Sequence, residues 1–333
     1  MSKYDVYGIG NALVDMEYSL TPDDLQRLGI DKGVMTLVDV DHQSEMMVYL
    51  DEHHVHRSAG GSAANTVIAL SQFGGHGFYT CKVADDDLGR LYVEDLRDNG
   101  VETNAHEVSE PGYTGRCMVL VTPDADRTMC TYLGITGSLG KAELVPEAIR
   151  ESRYLYLEGY LATSETAREA VAEARRIARE AGVRTAISLS DPNIVSHFGD
   201  PLRAMIGDGV DLLFANEDEA KGLTGAQTIE DAIAALKASA REFVVTRGPK
   251  GAIVFDGERE FPVDARRVDA IDTVGAGDMF AGAFLYGLTQ GWGHERAARF
   301  AVSASADIIT TYGPRLTRDR ALGVRDAMAA GAA

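Results

Sequence analysis

Cysteine is scarce in this sequence of 333 residues. The chain contains Cys81, Cys117 and Cys130, and no two of them form a C-x-x-C pair. An odd number of cysteines without such spacing does not suit a disulfide framework. We therefore expect free thiols and a reduced, cytoplasmic compartment.

Basic residues are also under-represented. The 32 Lys and Arg residues face 51 Asp and Glu residues, which gives a net charge of −19. A chain this acidic repels nucleic acid and anionic membranes, so neither is an expected partner. No apolar run approaches the ~18 residues of a membrane span, and the N-terminus enters a strand pattern without signal-peptide features. A phosphate-bearing ligand would therefore depend on local N–H groups, a metal ion and a few cations.

Two common nucleotide motifs are missing as well. The glycine-rich turn after the first strand would need a glycine at position 13 and a following helix to be a dinucleotide fingerprint, and the chain has Leu13. A P-loop near residue 140 would need a glycine and a Ser or Thr where the chain has Ile135 and Ala142. We expect neither motif. The first turn is instead interpreted as a strand end that carries Asn11 and Asp15, both able to hydrogen-bond hydroxyl groups.

The most informative stretch that is present is D-T-V-G-A-G-D, residues 272–278. It follows a strand-like run, 261–271, and opens an apolar helix over about 279–288. Its small residues leave three backbone N–H groups at the positive end of the helix dipole, a place for an anion such as a phosphoryl group under transfer. Asp278, in the first turn, can orient a hydroxyl and accept its proton. The alternative is an ordinary helix start whose acidic residue suits the dipole.

Alternating strand and helix patterns dominate the chain after residue 152 and predict a parallel sheet covered on both faces. Ligands of such sheets bind at the carboxyl ends of the strands. Several polar or glycine residues fall at or just beyond predicted strand ends: Asn11, Asp15, Gly60, Asn193, Asn216, Gly248 and Gly275. The sequence thus predicts one shared site. The Ala- and Gly-rich tail after Gly323 is expected to fray.

Two clusters resemble metal ligands but have simpler explanations. His53, His54 and His56 lack a second ligand cluster, so we interpret them as a solvated loop. The acidic run 85–87 suits the capped start of a helix.

Five short motifs occur in order along the chain: Gly10-Asn11 with Asp15, Gly60-Gly61 with Asn65, Asn216-x-x-Glu219, Thr246-Arg247-Gly248 with Gly251, and Asp272-Thr273-x-Gly275-Ala276-Gly277-Asp278. Together they resemble the ribokinase-like carbohydrate kinases, the phosphofructokinase-B family, over essentially the full length. The resemblance implies an α/β fold with a mostly parallel central sheet, helices on both faces and a small β-sheet lid. It places the core in 1–15, 51–106 and 134–333, and the lid in 16–50 and 107–133.

The same resemblance implies roles for individual residues. Asp278 would be the catalytic base, beside an anion hole formed by Gly275, Ala276 and Gly277. The substrate would be bound by Asn11, Asp15, Gly60, Gly61 and Asn65. The nucleotide would be bordered by Asn193, Asn216, Thr246, Gly248 and Gly251. Glu219 would act on Mg²⁺ through water, and Asp272 would lie near a monovalent cation such as K⁺, with ATP as co-substrate.

Substrate choice is less firmly indicated. Ser62 stands where ribokinases usually carry a lysine, and the stretches 60–65, 131–134 and 158–161 resemble the bacterial adenosine-kinase-like branch. We therefore expect ATP-dependent phosphorylation of a ribosyl hydroxymethyl group, adenosine first, by a monomer or homodimer. Met35, Leu133 and Tyr160 are candidates to line a base slot. A free-sugar kinase of ribose or fructose type stays open, as does a nucleoside-binding regulator without catalysis, although the intact Asp278 disfavours the latter.

Overall fold

Two β-sheets organise the part of the chain that the structure, a computed structural model, describes: residues 2–32, 35–50, 55–105, 110–123 and 127–330. The strands are β1 (Tyr4–Ile9), β2 (Leu13–Ser19), β3 (Met35–Leu37), β4 (Val55–Gly60), β5 (Gly77–Thr80), β6 (Val101–Thr103), β7 (Gly115–Val121), β8 (Arg127–Tyr132), β9 (Ser152–Glu158), β10 (Arg184–Ser188), β11 (Val210–Asn216), β12 (Ala240–Thr246), β13 (Ala252–Phe255) and β14 (Glu260–Val263).

The larger sheet has nine described strands in the order β14-β13-β12-β11-β10-β9-β1-β5-β6. The strands from β12 to β6 are parallel, and only the β12-β13-β14 edge is antiparallel. Every residue of β1 is buried, as expected for a parallel strand covered on both faces.

Helices cover both faces of this sheet. The helices of the described residues are, in chain order, α1 (Pro22–Arg27), α2 (Val40–Leu50), α3 (Ser62–Gln72), α4 (Asp87–Asp98), α5 (Pro146–Arg150), α6 (Glu165–Ala181), α7 (Pro192–His197), α8 (Gly199–Ile206), α9 (Glu217–Thr224), α10 (Ile229–Leu236), α11 (Ala276–Thr289), α12 (His294–Ile308) and α13 (Arg318–Ala329); α1 and α2 belong to the small sheet described below. Val6 belongs to a hydrophobic cluster that includes residues of α3, α11 and α12, whereas the next residue, Tyr7, belongs to the cluster on the other face, which includes residues of α6 and α10. The predicted fold class is confirmed.

The smaller sheet has five described strands in the order β3-β8-β7-β2-β4. Alternate residues of β2 (Met16, Tyr18) are buried against α1 and α2, which cover one face of this sheet. The residues between them, including Asp15, lie on the opposite face. The predicted boundaries assigned 51–60 to the core, but β4 pairs antiparallel with β2 in the small sheet. The two-part division of the chain stays a proposal.

Helices α3 and α11 approach closely enough to bring their first turns together. A Cβ atom on Gly282 of α11 would lie 2.5 Å from the carbonyl oxygen of Thr66 and 2.7 Å from the Cβ of Ala69, both on α3. Only glycine permits this crossing, because any side chain would have to displace the backbone of the neighbouring helix.

Three local expectations were wrong. The tail after Gly323 does not fray at that residue, because α13 runs to Ala329 and buries Val324 and Met328. The strand before the glycine-rich turn covers Glu260–Val263 and not 261–271. The sequence also favours a strand over 35–40, but this strand ends at Leu37, and Val40 begins α2. In each case the local composition does not show how far the segment packs against the rest of the fold, and that packing sets where the helix or strand ends.

Other expectations concern sites and spans. His53 and His54 lie outside the described residues, and the backbone of His56 belongs to β4, not to a loop. The run 85–87 starts a helix as predicted, with Asp86 capping α4. All three cysteines are free and buried, as expected. Among the described residues, no helix is long and apolar enough to cross a bilayer, and no cluster of three His, Cys, Asp or Glu is arranged for a metal.

Candidate active site

The predicted polar residues gather at the carboxyl ends of the parallel strands. Asn11 follows β1, Asn193 lies just past β10, Asn216 ends β11 and Gly248 follows β12. In a parallel sheet these ends meet along one edge. Further contacts connect this edge with the first turns of α3, α9 and α11.

The glycine-rich turn forms the start of α11. Gly275 is its N-cap with a φ of 75°, and a Cβ there would lie 2.6 Å from the carbonyl oxygen of Pro314, so glycine is required at this position. The N–H of Ala276 already donates to the carbonyl of Thr273 at 3.3 Å. Among the described residues, the N–H groups of Gly275 and Gly277 make no hydrogen bond, and the space around Gly277 is open. Two of the three predicted N–H groups therefore remain for an anion.

Asp278 occupies the third position of α11 and is held by two side chains of α3. The hydroxyl of Ser62 donates to Oδ1 at 2.6 Å, and the Nδ2 of Asn65 donates to Oδ2 at 3.1 Å. Its enclosed position raises the pKa of Asp278 to about 6, because burial disfavours the ionised form more than the two donors and Arg315 favour it. Asp278 is thus a carboxylate at neutral pH, but one that protonates easily.

Arg315 reaches this site from the loop before α13. Its Nε donates to the Oδ1 of Asn65 at 2.8 Å, and its Nη1 forms an ion pair with Asp95 of α4. Its side chain is only 14% exposed. Nothing in the sequence marks Arg315 as a site residue, because it lies in no motif and its contacts are 220 and 250 positions away along the chain.

Glu158, the last residue of β9, binds the backbone of two separate segments, the turn after β1 and the start of α3. Its Oε1 accepts from the N–H of Asn11 at 2.7 Å, and its Oε2 accepts from the N–H of Ala63 at 2.8 Å. Its full burial raises its pKa to about 7. A Cβ on Gly10 would lie 2.5 Å from Oε2, so glycine makes room for this carboxylate. In the sequence, Glu158 is noted only as the first residue of the stretch 158–161, which resembles the bacterial adenosine-kinase-like branch, and no role is predicted for it.

The predicted substrate residues lie where the two sheets meet. Asp15 is on the face of β2 away from α1 and α2, and its Oδ2 lies 2.5 Å from where a Cβ of Gly60 would be. Gly61 has a φ of 101°, and a Cβ on it would lie 2.5 Å from the carbonyl oxygen of Asn11. Asn11, Asp15, Gly60 and Gly61 therefore form one contiguous group. Asn65 joins it through α3, although both atoms of its amide already bind protein groups.

Asn216 and Glu219 form a reciprocal cap at the start of α9. The Oδ1 of Asn216 accepts from the N–H of Glu219 at 2.8 Å, and the Glu219 carboxylate accepts from the N–H and the Nδ2 of Asn216 at 2.9 and 2.7 Å. The pKa of Glu219 is raised to about 7, mainly by burial and further by the charges of Asp191, Asp218 and Asp278. Helix capping is thus an observed role of this pair, and magnesium binding stays a prediction.

The other predicted nucleotide residues form a second group beside this cap. The Oγ1 of Thr246 donates to the carbonyl of Ala215 at 3.4 Å. Gly248 and Gly251 bound a short 3₁₀ turn with φ values of 52° and 81°. The N–H of Asn193 donates to Asp191, and Asn193 is exposed. No contact joins this group directly to the Asp278 carboxylate among the described residues, so a bound molecule would have to bridge them.

Asp272, the candidate ligand for a monovalent cation, braces the turn. Its Oδ1 accepts from the N–H of Val274 and its Oδ2 from the N–H of Gly313, both at 3.0 Å. Through these bonds it fixes the loop that precedes Gly275. Bracing of this loop is thus an observed role of Asp272, and K⁺ binding stays a prediction.

Comparison with known proteins finds similarity to carbohydrate and nucleoside kinases. A protein-family model described as pfkB family carbohydrate kinase matches residues 29–320. Probable fructokinase-3 of Arabidopsis thaliana is 31% identical over 239 residues, which cover 69% of this chain and 68% of that protein. Aminoimidazole riboside kinase of Salmonella typhimurium is 31% identical over 260 residues, covering 74% and 79%.

A solved structure extends the similarity to nearly the whole chain. The crystal structure of adenosine kinase from Sinorhizobium meliloti has a TM-score of 0.88 and 34% identity, and the match covers 98% of this chain and 100% of the other.

The first prediction concerns the protonation of Asp278. We expect its carboxyl group to be neutral below and ionised above about pH 6. The C=O band of the protonated acid, isolated by infrared difference against Asp278→Asn, measures this midpoint. Ser62→Ala should raise it, because the hydroxyl stabilises the ionised form. Ser71→Ala is the control, since this hydroxyl of the same helix binds Asn99 instead. A midpoint near 4, the value of an exposed aspartate, would contradict the expectation.

Proposed function

The chain belongs to the pfkB family of carbohydrate kinases, and on that premise we propose that it transfers the γ-phosphoryl group of ATP to the 5′-hydroxyl of a ribonucleoside, adenosine first. The kinase activity itself follows from family membership. The observation that carries the proposed chemistry is Asp278, hydrogen-bonded to Ser62 and Asn65 in the first turn of a glycine-started helix.

The proposed reaction uses a base and an anion site that belong to the same helix. Asp278 accepts the proton of the attacking hydroxyl, which its pKa near 6 allows at neutral pH. The N–H groups of Gly275 and Gly277, together with the dipole of α11, stabilise the negative charge of the transferring phosphoryl group. Because both functions originate within four residues, the oxygen that loses its proton lies next to the phosphorus that it attacks.

Magnesium fits the electrostatics around Glu219. This carboxylate is buried, and the negative charges of Asp191, Asp218 and Asp278 raise its pKa further. Polyphosphate would add more negative charge to a chain of net charge −19. When bound with ATP, Mg²⁺ supplies positive charge that neutralises the phosphates. Glu219 would act on it through water, because both carboxylate oxygens already bind Asn216.

The face of the small sheet opposite α1 and α2 supports a nucleoside over a free sugar. A row of paired residues crosses this face, from Ser58 through Asp15, Cys117 and Thr131 to Leu37. Leu37 is 50% exposed, and Met129 on the same face is 37% exposed. We propose that Asp15 binds a ribose hydroxyl while the apolar end of the row contacts the base.

The earlier candidates for a base slot contribute less. Tyr160 packs against the hydrophobic cluster that contains Tyr7, on one face of the large sheet, which favours a structural role. The side chain of Met35 lies outside the described residues. Leu133 is half-buried beside the start of β7.

Two comparisons concern a nucleoside and one a free sugar. The adenosine kinase of Sinorhizobium meliloti matches over nearly the whole chain, and the Salmonella typhimurium relative is named for a riboside. The Arabidopsis thaliana relative is named a fructokinase, at the same identity as the riboside kinase. A ketose kinase is therefore the second candidate.

The second prediction tests the base. Asp278→Asn keeps the shape but cannot accept the proton, so kcat should fall by about 10²–10⁴ or more, the usual contribution of a general base. Steady-state kinase assays measure this, with circular dichroism to verify folding. Asp98→Asn, on the exposed side of α4, is a matched control and should leave kcat unchanged. A folded Asp278→Asn protein with near-normal turnover would contradict the assignment of Asp278 as the general base.

The third prediction separates the two roles of Glu219. Glu219→Gln should raise the Mg²⁺ concentration needed for half-maximal rate, because it removes a negative charge near the phosphates. Asp231→Asn alters the matching position of the α10 cap, where Asp231 binds Thr228. It should lower thermal stability without changing the Mg²⁺ dependence. If Glu219→Gln also changes only thermal stability, capping is its whole role.

The fourth prediction is the substrate order. Adenosine should have the highest kcat/KM in a panel with 2′-deoxyadenosine, ribose and fructose at equal concentration. The deoxy analogue should be about 10²-fold or more poorer, since the hydrogen bond between the Asp15 carboxylate and the missing hydroxyl would be lost. Preferential turnover of ribose or fructose would overturn the proposal of a nucleoside substrate, but it would not affect the assignment of kinase activity.

The same panel tests the apolar surface. Leu37→Ser and Met129→Ser should raise the KM for adenosine more than for ribose, because only the nucleoside has a base to bury. Val48→Ser is the control, since Val48 is exposed on α2, which covers the other face of the small sheet. Equal effects on adenosine and ribose would argue against a base contact.

A further inference from the structure

The side-chain amide of Asn65 lies between a cation and a carboxylate. Its Oδ1 accepts from the Nε of Arg315 at 2.8 Å, and its Nδ2 donates to the Oδ2 of Asp278 at 3.1 Å. A flipped amide would present its oxygen to the carboxylate and its NH₂ group to the guanidinium, and both contacts would be repulsive. The positive charge of Arg315 therefore determines which way the amide points.

Arg315 is itself fixed from a third direction. Its Nη1 forms an ion pair with Asp95 on α4, and among the described residues its buried Nη2 has no hydrogen-bond partner. A buried cation with an unsatisfied N–H group costs stability. A purely structural role explains this arrangement poorly, because an apolar side chain would fill the same space without that cost.

We propose that Arg315 is a positioning residue for phosphoryl transfer, which acts through Asn65 to hold the Asp278 carboxylate in its reactive orientation. This inference rests on the proposed role of Asp278 as the base. Arg315 does not contact the reacting atoms itself. It links the base to α4, whose Tyr92 donates a hydrogen bond to the carbonyl of Gly60 at the end of the small sheet.

The charge of Arg315 has a second effect, which provides a readout. A nearby cation favours the ionised form of Asp278 and so holds its pKa down against the effect of burial. The other groups that interact with the Asp278 carboxylate are Ser62, Asn65, Tyr156, Glu158, Tyr160 and Glu219. The two acidic groups among them oppose its ionisation, which leaves Arg315 as the cation that supports it.

The fifth prediction compares Arg315→Met with Arg320→Met. Arg320, five positions on, binds Asp307 and Thr310 with three hydrogen bonds, against two for Arg315, and no hydrogen bond joins it to the base. Arg315→Met should lower kcat about 10-fold or more, within the range that base catalysis supplies, and leave the KM for ATP nearly unchanged. The acid limb of kcat/KM and the infrared midpoint of Asp278 should both move up by about one pH unit. Arg320→Met should change none of these.

A double-mutant cycle tests whether Arg315 acts through Asn65. In an Asn65→Ala background, Arg315→Met should lower kcat less than about 3-fold further, because the amide that it orients is gone. Asp95→Asn is the second variant if Arg315→Met does not fold; it keeps the cation but loosens it, and should lower kcat in the same direction. Arg315→Lys should restore the midpoint more than kcat, since one ammonium cannot replace the fork that binds both Asp95 and Asn65.

Unchanged kcat and an unchanged Asp278 midpoint in a folded Arg315→Met protein would overturn the proposal, as would equal losses in both backgrounds. The infrared midpoint does not depend on turnover. If Asp278→Asn were active, the base assignment would fail, yet the midpoint would still show whether Arg315 controls this carboxylate.

Discussion

The site depends on the close crossing of α3 and α11. Because Gly282 has no side chain, the backbones of the two helices approach until their first turns share hydrogen bonds. Ser62 and Asn65 then reach Asp278, although more than 200 positions separate them in the chain. A wider crossing would leave a half-buried carboxylate without donors and an anion site without a base beside it. Packing therefore sets the chemistry here.

The active edge concentrates buried and half-buried carboxyl groups in a chain that is already strongly acidic. Glu158, Glu219 and Asp278 all have raised pKa values, and burial is the largest cause in each case. Their hydrogen bonds come from neutral donors: backbone N–H groups for Glu158, Asn216 for Glu219, and Ser62 and Asn65 for Asp278. Such a site is suited to a substrate that brings a cation with it, as ATP does with Mg²⁺, and this is consistent with the absence of a P-loop lysine.

The comparisons fix the family but divide on the substrate, and the small sheet gives a physical reason for this division. In the proposed mechanism the α11 turn acts on a hydroxyl whichever sugar carries it, and the chain is similar to kinases named for fructose, a riboside and adenosine. The face of the small sheet opposite α1 and α2 is where a base would add contact area. The proposed preference for a nucleoside rests on its exposed apolar end, at Leu37 and Met129.

The sequence alone predicts the alternation of strands and helices, the glycine turn at Gly275 and the position of Asp278, because these follow from local periodicity and backbone sterics. It did not reveal that β4 leaves the core for the small sheet, or that α13 forms, since both depend on which distant surface covers an apolar stretch. Only the tertiary structure brought Glu158 and Arg315 to the site. A lone Glu or Arg has no spacing that marks it, and its role arises from the groups that the fold places within 3 Å of it.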